Sequence, residues 1–235
     1  MARLPNATPA QFTELMRLSG FPEHTPQTNA FSVLAHAPAA GGSALRMVFA
    51  LLMETALDPK LRELVILQVA QRLDGQYIWV QHVAIARTVG VSDAQIAALE
   101  RREAPSDLFT ERERMAFDFA DEVLDTCRAA DDTFRAVREL LSPRKTVELA
   151  LLIGYFRMIS GLMTTLDVDG LPRTDSYRDG GGDRQAAYQW RPCNRSSVHW
   201  PDTDEPLGWR GRSCRCGGVV MLGRRVVRHR SRDAG

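Results

Sequence analysis

Signals for the start of a helix recur through the first 175 residues and constrain the fold more than any other feature. Each signal places a Ser, Thr or Asp before a proline, or three residues ahead of a Gln or Glu that completes a capping box. Five such starts predict a succession of separate helices. The positions are Thr8-Pro9 with Gln11, Asp58-Pro59, Ser92 with Gln95, Thr110 with Glu113, and Ser142-Pro143.

Apolar residues between these signals recur at helical spacing. One stripe runs from Leu61 through Leu64 and Val65 to Val69, and no alternating strand pattern of useful length competes with it. We therefore predict an all-α body of about seven helices. Its breaks are expected at Asp74-Gly75, Gly90 and Pro105.

The composition changes abruptly at Ser176. Residues 176–235 hold nine of the 17 glycines and three of the four tryptophans, without a helical or strand period. This predicts a domain over residues 1–175 followed by a disordered tail. Two other interpretations of this tail remain open. It could be a basic segment that contacts RNA, or a segment with little selective history, such as a read-through. We expect no metal site, because the Cys and His spacing of the tail matches no zinc pattern. These residues are Cys193, His199, Cys214, Cys216 and His229.

Charge and cysteine content indicate a cytoplasmic protein. The tail has twelve arginines against six acidic residues, whereas the body has 18 basic and 23 acidic residues and offers no footprint for nucleic acid. We expect neither a signal peptide nor a membrane span, because the longest apolar segment, 147–158, is interrupted by Glu148 and Arg157. Cys127 is the one cysteine of the body, which fits a reducing compartment.

Glu63 and His82 are the candidate chemical groups. Glu63 lies in a strongly apolar helix, where an isolated buried carboxylate is costly. The break at Asp74-Gly75 allows the next helix to fold back and to bring His82 opposite Glu63 across a small cleft, with Tyr77 and Trp79 as walls. The pattern alone also fits a structural histidine and a surface glutamate, which are the more frequent interpretations.

Several short motifs together carry a family resemblance. Arg62-Glu63-Leu64-Val65-Ile66-Leu67, then Tyr77-Ile78-Trp79 with His82, then Gly90-Val91-Ser92-Asp93 resemble the signature of the carboxymuconolactone decarboxylase and alkyl hydroperoxidase D-like superfamily. Leu34-Ala35-His36-Ala37-Pro38 and the segment from Glu148 to Val168 extend the resemblance to roughly residues 28–172.

The resemblance implies an alkyl hydroperoxidase D-like helical bundle with Glu63 as the proton-relay glutamate and His82 as the site histidine. The peroxidase branch has cysteines where this chain has Gly75 and Ile78. Because a thiolate is the required nucleophile, we do not expect thiol peroxidase activity. The decarboxylase-like branch usually has a glutamate at position 78.

These features predict a cofactor-independent lyase or isomerase, of the carboxy-lyase type, for a small carboxylated or lactone-like substrate. The resemblance also implies a homo-oligomer, either a trimer or a hexamer. Two alternatives are a non-catalytic helical oligomer, motivated by Ile78, and a residual thiol-dependent antioxidant enzyme. The expected catalytic residues are His82, Glu63 and Tyr77, and the expected substrate-binding residues are Trp79, Ile78 and Gln81.

Overall fold

A computed structural model describes residues 2–22, 25 and 27–168, and these residues form nine helices and no strand. The all-α expectation is therefore confirmed. The helices are α1 (Pro9–Ser19), α2 (Asn29–Leu34), α3 (Pro38–Met53), α4 (Pro59–Arg72), α5 (Gln76–Thr88), α6 (Asp93–Glu100), α7 (Glu111–Thr126), α8 (Asp131–Leu140) and α9 (Pro143–Thr165). The tail predicted over residues 176–235 lies outside the described residues.

All five predicted helix starts are present. At each one the side chain of the capping residue accepts a hydrogen bond from the backbone amide three residues later, and such a cap typically contributes about 1 kcal/mol. The capping residues are Thr8, Asp58, Ser92, Thr110 and Ser142.

The helix count exceeds the expected seven because some helices lack these signals. Helix α2 has only six residues, and its cap, Thr28, is followed by neither a proline nor a capping-box residue. Helix α8 starts after Ala130, which has no side chain able to cap it. Neither helix could be recognised from a cap and an apolar stripe.

Helix α4 is the central helix of the core. The predicted stripe of Leu61, Leu64, Val65 and Val69 is buried, and α4 packs against α5, α6, α7 and α9. Because neighbours surround it, α4 is buried on most of its circumference rather than along one face. The polar side chains of Arg62 and Glu63 on this helix therefore have little access to water.

Helix α9 is the one helix among the described residues that is long and apolar enough to cross a membrane. The sequence expectation of no such run was too strict, because Glu148 and Arg157 do not disqualify an otherwise apolar helix. Half of the residues in its most apolar stretch are buried inside the protein. Helix α9 packs against α3, α4, α5, α7 and α8. These contacts are those of a core helix.

Candidate functional site

The turn between α4 and α5 brings Glu63 and His82 together. Asp74 adopts a left-handed conformation with φ of 50° at the predicted break, and the two helices then pack against each other. Oε2 of Glu63 lies 2.8 Å from Nδ1 of His82, although the residues are 19 positions apart. The predicted proximity is confirmed, and the chemical roles of the two residues stay predictions.

The hydrogen bond between these residues lies inside the core. The side chain of Glu63 is 0% exposed, and that of His82 is 8% exposed. Because an ionised Glu63 can only accept a hydrogen bond, the proton of this bond belongs on Nδ1. The other ring nitrogen, Nε2, has no hydrogen-bond partner within the described part of the chain. Nε2 is therefore the nitrogen available for chemistry.

Arg62 completes a buried triad that the sequence analysis did not anticipate. Its Nε donates to Oε1 of Glu63 over 3.2 Å, so each carboxylate oxygen of Glu63 accepts from a different nitrogen donor. The sequence contains a signal for this ion pair. A buried carboxylate needs a positive charge or hydrogen-bond donors nearby, and Arg62 is the residue directly before Glu63.

The imidazole packs against an aromatic ring from α9. The ring of Phe156 meets that of His82 edge to face, with centroids 4.9 Å apart and an interplanar angle of 88°. Tyr155 in turn packs edge to face on Phe156, and burial raises its pKa strongly. No sequence signal distinguished Phe156 from the other apolar residues of α9.

The remaining predicted site residues are spread around α5. The hydroxyl of Tyr77 is hydrogen-bonded to the side chain of Thr28 and the backbone of Ala30 at the start of α2. Burial raises the pKa of Tyr77, and these hydrogen bonds partly offset the rise. Ile78 and Trp79 are buried in the core, whereas Gln81 is half-buried. Contacts from these four residues to a substrate remain predictions.

The positions of the peroxidase cysteines are filled without a thiol in this protein. A Cβ atom on Gly75 would lie 2.9 Å from Oγ of Ser160, and Ile78 is packed in the core. Cys127 is the only cysteine in the described residues and lies at the end of α7, where Arg157 contacts its sulfur. The described part of the chain thus has no cysteine pair.

Of the two surface cavities in the described part of the chain, neither is lined by Arg62, Glu63 or His82. One, of about 360 Å³, opens between the starts of α4 and α7, and the other, of about 380 Å³, opens between α7, α8 and α9.

The fold and the site together define a class of protein. It is a helical bundle with a buried carboxylate–imidazole pair and, in its described residues, no cysteine pair. Residues 38–122, which include Glu63 and His82, match the family model of the carboxymuconolactone decarboxylase family. The resemblance drawn from the sequence is therefore confirmed over this segment. The comparison with curated proteins found no match.

Solved structures share the fold. A peroxidase-related protein with an alkylhydroperoxidase AhpD core from Ralstonia eutropha JMP134 is 20% identical with a TM-score of 0.58, and covers 71% of this chain and 90% of its own. A peroxidase-related protein from Silicibacter sp. TM1040 has the same identity and coverage with a TM-score of 0.55. Both are uncharacterised.

A third structure is a protein of unknown function from Agrobacterium tumefaciens, whose assignment as an antioxidant defence protein AhpD is itself provisional. It is 23% identical with a TM-score of 0.52, and covers 57% of this chain and 92% of its own. At these identities the three structures show an AhpD-like fold, and nothing about activity.

Proposed function

We propose that the protein is a cofactor-independent lyase or isomerase of the carboxymuconolactone decarboxylase type, acting on a small carboxylated or lactone-like substrate. The observation that carries the proposal is the buried hydrogen bond of 2.8 Å between Glu63 and His82. A carboxylate and an imidazole held together inside a core are costly to desolvate, and such arrangements recur at catalytic sites.

In the proposed reaction, His82 is the general acid. The bond from the substrate carbon to its carboxylate breaks, CO2 leaves, and the electron pair moves towards the lactone carbonyl. Nε2 of His82 then delivers a proton to carbon, and solvent restores that proton. Glu63 holds the ring through Nδ1, while Phe156 limits its rotation. Positioned general acid catalysis contributes about 10²–10⁴-fold.

The competing function is a non-catalytic helical assembly. Two observations favour it: Ile78 is buried where related decarboxylases usually have a glutamate, and His82 lines neither of the two cavities described above. This alternative predicts that lactone acids do not bind near the imidazole.

We also propose that the protein is a cytoplasmic homo-oligomer, a trimer or hexamer, whose site is completed at a subunit interface. Support comes from α9, which exposes Val147, Leu151 and Met158 on one side. An exposed apolar face of this kind is a frequent feature of interfaces between subunits. Residues 1–175 contain only one cysteine, which supports the proposed cytoplasmic location because the cytoplasm is a reducing compartment.

Turnover of carboxymuconolactone by the full chain tests the proposed function. His82→Gln should reduce kcat by about 10²-fold or more. His36→Gln is the matched control, because His36 is bonded to the Pro5 carbonyl and lies outside the triad; it should retain full activity. Wild-type protein that releases no CO2 contradicts the decarboxylation, and equal rates for His82→Gln and wild type remove His82 from the mechanism.

A further inference from the structure

The cavity between the starts of α4 and α7 has a cationic side chain in its wall that is not paired with any other group. The cavity measures about 360 Å³ and is lined by Asp58, Leu61, Thr110, Arg112 and Glu113. Within the described part of the chain, Arg112 has no hydrogen bond and no ion pair, and its Nε is both buried and unpartnered. A buried guanidinium nitrogen has lost its hydration, and an acceptor normally compensates that loss. Arg112 thus brings an unpaired positive charge to the wall of a cavity.

The two carboxylates of the same wall are already engaged. Oδ1 of Asp58 accepts the amide of Leu61 over 3.0 Å at the start of α4. Oε2 of Glu113 accepts the amide of Thr110 over 2.8 Å at the start of α7, and its Oε1 lies 3.2 Å from Nζ of Lys60. The positive ends of the two helices compensate these carboxylates further. The arginine is therefore the lining charge that no neighbour in the described residues neutralises.

The outer end of the Arg112 guanidinium is open to a ligand. The residue as a whole is half-buried, and Nη1 and Nη2 are not among the buried, unpartnered atoms of the described residues. Because neither Nη atom has an acceptor within residues 2–22, 25 and 27–168, both reach solvent. The inner part of the group is packed while its two outer nitrogens are accessible. A donor group held in this way loses little side-chain freedom when it binds a ligand.

We propose that this cavity is a second binding site, for a small molecule held through an oxyanion, a carboxylate or a phosphate, by Nη1 and Nη2 of Arg112. Two oxygens of such a group match the two parallel N–H groups of a guanidinium. The volume of the cavity falls within the range of small-molecule sites, about 300–1,000 Å³. Because neither Glu63 nor His82 lines the cavity, the inference does not depend on the proposed function.

An NMR titration of the full-length, ¹⁵N-labelled protein tests the proposal, with inorganic phosphate and acetate as the two probes. Sodium chloride holds the ionic strength constant, so that a measured affinity is a preference over a spherical anion. We expect the amide resonances of residues 60–61 and 110–113 to move with the probes. A lower dissociation constant for phosphate assigns the site to phosphorylated ligands, and a lower one for acetate assigns it to carboxylates.

Three variants identify the group that binds the anion. Arg112→Met should weaken binding by about ten- to a hundredfold, because it removes hydrogen bonds from a charged donor. Arg112→Lys should give a smaller loss, since an ammonium keeps the charge without the bidentate geometry. Arg114→Met is the matched control, because Arg114 lies on the same helix and also has a buried, unpartnered Nε, but lines neither of the two cavities. Its affinity should stay within about threefold of wild type.

Three results overturn the inference. The first is that neither probe moves these resonances at millimolar concentration, and the second is equal affinity of Arg112→Met and wild type. The third is an equal loss in Arg112→Met and Arg114→Met, which would indicate general attraction to a basic surface. If Arg112→Met does not fold, Arg112→Lys takes its place in both comparisons. Failure of the proposed function looks different, because a wild type that releases no CO2 from carboxymuconolactone still binds the anion at Arg112.

Discussion

Glu63 accepts hydrogen bonds from two cationic or potentially cationic groups at once, His82 at 2.8 Å and Arg62 at 3.2 Å, and its side chain is fully buried. The backbone places Arg62 beside it on α4, and the turn at Asp74 places His82 beside it on α5. The site is therefore held by the packing of two core helices rather than by loops, which favours a fixed geometry.

Replacing Glu63 should destabilise the fold. Glu63→Gln leaves the buried guanidinium of Arg62 without its counter-charge, and loss of one partner of a buried ion pair costs about 3–5 kcal/mol. Glu103→Gln, at an exposed pair with Arg101, should change stability by less than about 1 kcal/mol. Urea unfolding followed by circular dichroism measures both. A Glu63→Gln protein as stable as the control would mean that the triad adds nothing to folding.

Alkaline pH should weaken the protein through Tyr77, which is partly buried, and through the buried Tyr155. Burial raises the pKa of Tyr77 above its usual value of 10.0, so the folded state keeps a proton that the unfolded state loses. The contribution of Tyr77 to stability is complete below pH 10 and is lost as the pH rises towards its folded pKa. Tyr77→Phe should therefore lose less stability than wild type between pH 9 and pH 11 in thermal melts, allowing for the lost hydrogen bonds at Thr28. Parallel losses in both proteins would contradict the assignment.

Gly75 should tolerate no larger residue unless Ser160 changes. Gly75→Ala introduces a Cβ at 2.9 Å from the unpartnered Oγ of Ser160, and such overpacking costs about 1–3 kcal/mol. Ser160→Ala alone should be nearly neutral, because its hydroxyl has no hydrogen bond to lose. In a double-mutant cycle, Gly75→Ala should cost less in the Ser160→Ala background. Strict additivity would show that the contact is not the cause.

The exposed face of α9 should be covered by other copies of the chain. We expect sedimentation velocity to give a trimer or hexamer for wild type and a smaller species for Leu151→Asp, because a charge cannot be buried in an apolar interface. Leu140→Asp is the matched control at an exposed leucine of α8 and should leave the assembly intact. A monomeric wild type, or an intact Leu151→Asp oligomer, would contradict the proposed assembly.

The sequence predicted the helical architecture because its cues are local. A Ser or Thr at a cap, a following proline and an apolar stripe act within one helix, and all five predicted starts are found. The proximity of Glu63 and His82 could also be predicted from the sequence, because a single break separates the two helices that hold them. Phe156 could not be predicted, because its contact with His82 depends on how α9 crosses α5. The adjacency of Arg62 to Glu63 is visible in the sequence, but the burial of their ion pair is not, because it depends on the depth at which α4 lies in the core.

The state of the His82 ring is the most direct test of the central claim that Glu63 orients this imidazole for chemistry at Nε2. The ¹⁵N NMR spectrum of the histidine rings, with His82 assigned by its absence in His82→Gln, reports which nitrogen carries the proton. We predict a proton on Nδ1. A neutral ring protonated on Nε2 alone would contradict the account.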